Sequence, residues 1–198
     1  MTGAALIVID VQNDFCPGGA LQVAGGDEIV PGINALMDEA SAVVLTQDWH
    51  PADHTSFADN HEGAAEYSVV EMPYGPQVLW PRHCVQGSSG ANFHSGLRTD
   101  ADLIIRKGFR AEIDSYSAFF ENDHKTPTGL EGYLRTRGLS KLVMAGLATD
   151  FCVAFSAIDA AKLGFDVEVR LDLCRAIDLD GSLASAIQQM KDAGVRLV

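Results

Sequence analysis

The chain has 198 residues and a formal net charge of −13, from 14 Lys and Arg against 27 Asp and Glu. At about 150 residues per domain this length predicts one domain over 1–198, and a composition of 47% apolar, 21% charged and 8% aromatic residues is that of a folded chain, not a disordered or fibrous one. An acidic chain without a Lys/Arg cluster repels phosphate backbones and anionic lipid, so nucleic acid and membrane surfaces are excluded as expected partners.

The elements follow from period and breakers. Residues 5–9, Ala-Leu-Ile-Val-Ile, form a continuous apolar run rich in β-branched side chains, as in a strand buried on both faces. Extended by Ala4 it is the longest apolar stretch, far short of the roughly 20 residues of a membrane-spanning helix, and it lacks a signal peptide's basic start; the expected location is the cytoplasm. A helix is predicted over 28–40 and a strand over 42–45. From Thr46 to Asp102 the periodicity disappears among Pro, Gly, His and Asn and both tryptophans. Loops of that length are usually functional, and this one is expected to be a loop-rich insertion, at about 46–102, folding over one end of a sheet and carrying a metal site. Strands at 103–106, 142–145, 167–171 and 195–198 alternate with helices at 128–137, 150–163 and 180–193, with Gly138 and Gly164 as helix stops. Strand alternating with helix means βαβ units, hence an α/β fold with a parallel six-stranded sheet covered by helices on both faces.

Ligands of open α/β sheets bind beyond the carboxyl ends of the strands. Asp10 follows the first strand, Asp48 and His50 the second, Lys107 the third and Cys152 the fourth. Cys152, in Gly146-Leu-Ala-Thr-Asp-Phe-Cys152, is placed in a first helical turn, where the helix dipole and free amides favour thiolate and arm a nucleophile. A buried apolar role is the alternative for that segment alone; it is the expected role of Cys16, Cys84 and Cys174, which have no such context, and with no CxxC pair all four thiols are expected free. A thiol nucleophile needs a group to take its proton and deliver it to the leaving amine. Asp10 is that candidate, with Asp14 a less well placed neighbour, and Lys107 is placed to pair with Asp10 and to stabilise developing negative charge.

A second constellation is Asp48-Trp-His50-Pro-Ala-Asp-His54, joined later by Trp80-Pro-Arg-His83-Cys84. One carboxylate and two imidazoles form a facial set with open coordination positions, and Asp48, His50 and His83 are the expected ligands of one divalent metal ion, zinc first, iron or manganese as alternatives. His54 stands as a fourth ligand or as a neighbour of the ligands; His61, His94 and His124 are expected on the surface. Phe15, Trp80 and Tyr116 share segments with these groups and are placed to wall a slot for a flat ring. The same ligand set also occurs in non-haem iron oxygenases, but the βαβ pattern and the setting of Cys152 argue against that chemistry.

Taken together, Asp10-Val-Gln-Asn-Asp-Phe-Cys-Pro-Gly-Gly19, Gln47-Asp-Trp-His-Pro51, Trp80-Pro-Arg-His-Cys-Val85, Lys107-Gly108, Asp114-Ser-Tyr-Ser-Ala-Phe119 and Gly146-Leu-Ala-Thr-Asp-Phe-Cys152 resemble the nicotinamidase (pyrazinamidase) family of isochorismatase-like cysteine hydrolases. The resemblance spans essentially the whole chain. It implies a three-layer α/β/α fold and hydrolysis of nicotinamide to nicotinate and ammonia in NAD salvage through an Asp10, Lys107, Cys152 triad. It also implies activity on pyrazinamide, a metal that takes the pyridine nitrogen directly or through water, a cis Leu147–Ala148 peptide, and an oxyanion hole from the backbone amides of Ala148 and Cys152. Leu173 departs from the family, which often has a small residue there. The alternative is a metal-independent cysteine amidase of the same fold acting on another small amide, and a symmetric homo-oligomer is the base-rate expectation for assembly.

Overall fold

In a computed structural model that describes residues 3–198, every residue of β1 (Ala4–Ile9) and of β2 (Ala42–Asp48) is buried, as uninterrupted apolar runs require of strands covered on both faces. Each fully buried Leu, Ile or Val side chain in them stabilises the fold by roughly 1.5–3 kcal/mol before conformational entropy is set against it. With β5 (Leu103–Lys107), β6 (Lys141–Leu147), β7 (Asp166–Arg175) and β8 (Arg196–Leu197) they form one parallel sheet in the order β5-β2-β1-β6-β7-β8. β5 lies at the edge, so its exposure alternates, and Ile104 is 45% exposed.

The sheet separates two apolar cores. On one face α2 (Leu130–Thr136), α3 (Ala154–Lys162) and α4 (Ser182–Asp192) contribute Leu130, Leu134, Ala157, Ala160 and Met190. On the other, α1 (Val30–Met37) supplies Ile33 and Leu36, and the long 49–102 segment adds Trp80, Cys84, Ala91 and Leu97. That second face is therefore covered by one helix and by loop, a thinner helical layer than the alternation predicts. Leu173 reaches across to α1: a Cβ on Gly32 would lie 2.3 Å from its Cδ2, so the large side chain occupies the space that a glycine leaves open.

The boundaries differ from the sequence expectations for local reasons. Helix α1 is shorter than 28–40, starting beside Pro31, whose fixed φ suits a first turn. Strands β2 and β5 run on through the polar residues Asp48 and Lys107, because ladder pairing to their neighbours outweighs the loss of apolar character. The helix expected over 150–163 opens instead with a π-helical turn, Thr149–Val153. The segment expected to lack structure holds an antiparallel hairpin, β3 (Val69–Met72) and β4 (Gly75–Val78), and a short 3-10 turn, Ala58–Asn60. Gly138 and Gly164 follow α2 and α3 with φ of 67° and 85°, the left-handed exit that stops a helix.

Candidate active site

The order β5-β2-β1-β6 sets four carboxyl ends side by side, and those ends carry the reactive groups. Asp48 and Lys107 are direct register partners across β2 and β5, Asp10 leaves β1 next to them, and Cys152 sits in the π-helical turn that follows β6. The Leu147–Ala148 peptide leading into that turn is cis.

Lys107 is the hub. Its Nζ lies 2.7 Å from Asp10 Oδ2, donates to Asp48 Oδ1 and to the Ser115 carbonyl (3.0 Å), and approaches Cys152 Sγ at 3.4 Å. The side chain is fully buried, and so many acceptors are what make a buried ammonium tolerable. Burial opposes its charge, but Asp10 and Asp48 outweigh burial and hold it protonated. The two carboxylates diverge. Burial, aided by the charge of Asp48, pushes Asp10 up to about 6. Burial also resists ionisation of Asp48, yet Lys107 and then His50 override it and hold that carboxyl below the ordinary carboxylate range. Asp48 is thus ionised, and Asp10 is the carboxylate ready to take a proton near neutrality.

Cys152 departs from the expected thiolate. It is 7% exposed, and burial, followed by the charges of Asp10 and Asp48, holds its thiol well above the usual value against the pull of Lys107. The sulfur therefore keeps its proton until a base accepts it.

The metal-type residues also meet: one ligand atom each from Asp48, His50 and His83 lies within 4.8 Å of the others. His50 Nδ1 bonds the Gly108 carbonyl at 2.8 Å and His83 Nδ1 the Pro81 carbonyl at 2.7 Å. A carbonyl can only accept, so both Nδ1 atoms are protonated and both Nε2 atoms are the ones turned toward Asp48 and available to a cation. Burial opposes the charge of His50, but Asp48 outweighs it and raises the pKa of that ring, so a cation at its Nε2 displaces a proton. Lys107 occupies Asp48 Oδ1, leaving Oδ2 3.8 Å from His50 Nε2. Burial and the neighbouring His50 hold His83 neutral, with its pKa lowered to about 4. The donor set therefore fits a divalent cation. Gly108 protects it, since a Cβ there would fall 2.3 Å from the His50 ring and its φ is 63°.

His54 lies against His50, ring centroids 4.3 Å apart, but both its nitrogens have protein partners: Nδ1 with Ser56 Oγ (2.7 Å) and Nε2 with the Ile113 carbonyl (3.3 Å). Burial and His50 lower its pKa to about 4. His124 is exposed as expected, whereas His61 and His94 are half-buried and bonded to Thr55 and Gly96. Cys16, Cys84 and Cys174 are buried free thiols within or against the cores.

Phe15, Trp80, Tyr116 and Ala148 line one narrow cleft with Cys152 and the three metal-type residues. The cleft has further walls that the sequence analysis did not single out: Leu21, Asp114, Phe151 and Ile177. Phe151 stands edge-on to Trp80, centroids 4.8 Å apart, and its position one residue before Cys152 was the available signal. Asp114 is fixed by Ser115 N–H (2.8 Å) and by Gln77 Nε2 (2.9 Å), and Gln77 comes from the unforeseen hairpin.

A cysteine, a buried acid and an ammonium beside a metal-type cluster, all at the strand ends of this sheet, are the equipment of a hydrolase, and the chain belongs to the isochorismatase domain family, whose pattern matches residues 4–198. Within that family it is similar to several nicotinamidases. The chain is 55% identical over 195 residues to the nicotinamidase of Acinetobacter baylyi, covering 98% of this chain and 91% of that one. Its fold superposes on the nicotinamidase/pyrazinamidase of Acinetobacter baumanii with a TM-score of 0.98 at 54% identity, over 100% of this chain and 96% of the other. The pyrazinamidase of Pyrococcus horikoshii, solved in complex with zinc, gives a TM-score of 0.79 at 35% identity, over 99% and 98% of the two chains.

Proposed function

We propose that the protein hydrolyses nicotinamide to nicotinate and ammonia, serving NAD salvage, and that it also accepts pyrazinamide. The observation that carries this reading is the Lys107 ammonium, 2.7 Å from Asp10 and 3.4 Å from Cys152, beneath a cleft walled by aromatic rings. The ring of the substrate slides between Phe15, Trp80 and Tyr116 and presents its amide to Cys152. The thiol proton passes to Asp10 as sulfur bonds the carbonyl carbon, and the backbone amides of Ala148 and Cys152 receive the oxyanion. Collapse breaks the carbon–nitrogen bond, Asp10 returns the proton to the departing nitrogen, and ammonia leaves a thioester. Water then attacks the thioester carbon, giving a proton to Asp10; the carbon–sulfur bond breaks, and the sulfur recovers that proton. Lys107 stays charged throughout and offsets the negative charge that moves between its neighbours.

Asp48, His50 and His83 hold the divalent cation, proposed to be zinc. When bound, such a cation supplies a Lewis-acidic anchor for a ring nitrogen or a water. His83→Ala is expected to lower metal content per chain, and changing Asp48, His50 and His83 together to abolish it; full occupancy in the triple variant, read by elemental analysis, would refute the ligand set.

Asp10 must be ionised to act. Its raised pKa places the acid limb of kcat/KM near pH 6, with activity falling about tenfold per unit below it. A limb lying at the ordinary carboxylate value would show that a different group is the base.

Among the described residues no helix is long and apolar enough to cross a membrane. The reading includes a cytoplasmic location, a symmetric homo-oligomer and a small-molecule substrate, with neither nucleic acid nor membrane as partner. The decisive experiment is ammonia release from nicotinamide by the purified protein with and without chelator. Release that needs metal supports the full reading. Release indifferent to metal supports a cysteine amidase in which the cation is dispensable, and no release from metal-loaded protein overturns the nicotinamide assignment.

A further inference from the structure

Thr46 is fully buried on β2, across from the point where the chain leaves β1. Its hydroxyl donates to Asp10 Oδ1 at 2.6 Å and accepts the backbone N–H of Asp10 at 3.1 Å. One group thereby grips both ends of the same residue, using the single donor and an acceptor site of a hydroxyl. Asp10 needs that grip, because it leaves the strand with a φ of 48°, a left-handed conformation that non-glycine residues adopt only when their surroundings impose it. With Oδ1 taken by Thr46, Oδ2 lies 2.7 Å from Lys107 Nζ and has no other hydrogen-bond partner. Cys152 Sγ lies within 4.8 Å of an oxygen of the same carboxylate.

We propose that Thr46 is a positioning residue for the reaction: its hydroxyl fixes the rotation of the Asp10 carboxylate, so that one oxygen stays between the Lys107 ammonium and the Cys152 thiol. The inference rests on the reading of Asp10 as the proton acceptor. Thr46 does not line the cleft, and its side-chain hydrogen bonds go to Asp10 alone, so its loss acts on proton transfer and not on substrate binding. A misaligned base commonly loses one to two orders of magnitude in rate.

The test compares Thr46→Val, which keeps the shape and removes the hydroxyl, with Thr46→Ser, which keeps the hydroxyl and removes the methyl. For Thr46→Val, kcat is expected to fall by about 10- to 100-fold with KM within about twofold of wild type and metal content unchanged; Thr46→Ser is expected to recover kcat to within about threefold. If the role of Thr46 were only to pack β1 against β2, the order would reverse, because valine restores the packing and serine does not. That reversal, a wild-type kcat in Thr46→Val, or a fall explained by lost metal would overturn the proposal. Should Thr46→Val not fold, Thr46→Ala against Thr46→Ser isolates the same hydroxyl. Asp10→Asn, assayed alongside, separates the two levels: wild-type turnover there removes the role of Asp10 itself, whereas lost turnover there with an inert Thr46→Val removes only the role of Thr46.

Discussion

Cys152→Ala is expected to lower kcat for nicotinamide by at least about 10⁴-fold, on the scale seen when a covalent nucleophile is removed. No neighbour can take over the attack: Asp10 and Lys107 are locked into the ion pair with each other, the Ser156 hydroxyl donates to the Cys152 carbonyl at 2.6 Å, and the Tyr116 hydroxyl is held by Gln77 and Trp80. The fold should hardly notice. The substitution deletes one buried sulfur atom at the rim of a core that otherwise rests on Val153, Ala154 and Ala157, a loss of about 1 kcal/mol. Metal content should be unchanged as well, because Asp48, His50 and His83 make their hydrogen bonds to Lys107, Gly108 and Pro81 and none to Cys152. The triple measurement of kcat, melting temperature and metal per chain distinguishes a nucleophile from a packing cysteine. A variant with normal kcat would sink the thioester mechanism, and one that fails to fold would make Cys152 a structural residue.

The sheet was legible because its strands are buried on both faces, and continuous runs such as 5–9 and 42–45 have no other stable destination. The site was legible for a related reason: Asp10, Lys107 and Cys152 each have a bland reading when taken alone, but packing does not explain their convergence just beyond the ends of such runs. What stayed hidden depends on contacts between distant segments. The hairpin Val69–Val78 has half-exposed strands held mainly by pairing with each other, so no strong hydrophobic period announces it. The pairing of Lys107 with Asp48 follows from strand register, which the one-dimensional pattern does not encode. The protonated state of Cys152 is likewise a property of its surroundings. A helix start argues for thiolate, and only the folded structure reveals that two carboxylates and nearly complete burial argue the other way.

Lys107→Met should produce the largest loss of stability at the site, about 3–5 kcal/mol at neutral pH in metal-free protein, the range expected when one partner of a buried ion pair is removed. Methionine keeps much of the apolar stem, so the loss is electrostatic: Asp10 and Asp48, both buried, lose the ammonium they share. The pH dependence identifies the cause. In the wild type, Asp48 is held below the ordinary carboxylate range, so the stability it contributes is present above that range and is lost as pH falls. Without Lys107, burial is opposed only by His50 and His83 at Asp48 and by Thr46 at Asp10, so the folded-state pKa of Asp48 rises and that of Asp10, already above its unfolded value in the wild type, rises further. A group raised in this way contributes stability below its unfolded pKa and loses it as pH rises through the folded one. The two proteins should therefore differ most near neutrality and converge on acidification, with the gap in urea-unfolding free energy at about pH 4.5 well under that at about pH 7. A gap that is the same at both pH values would mean that Lys107 supports the fold through its hydrocarbon stem and its bond to the Ser115 carbonyl, and not through the charges it holds apart. Saturating divalent cation should narrow the neutral-pH gap, because a cation bound by Asp48, His50 and His83 restores a positive charge beside Asp48 and stabilises the folded state by mass action.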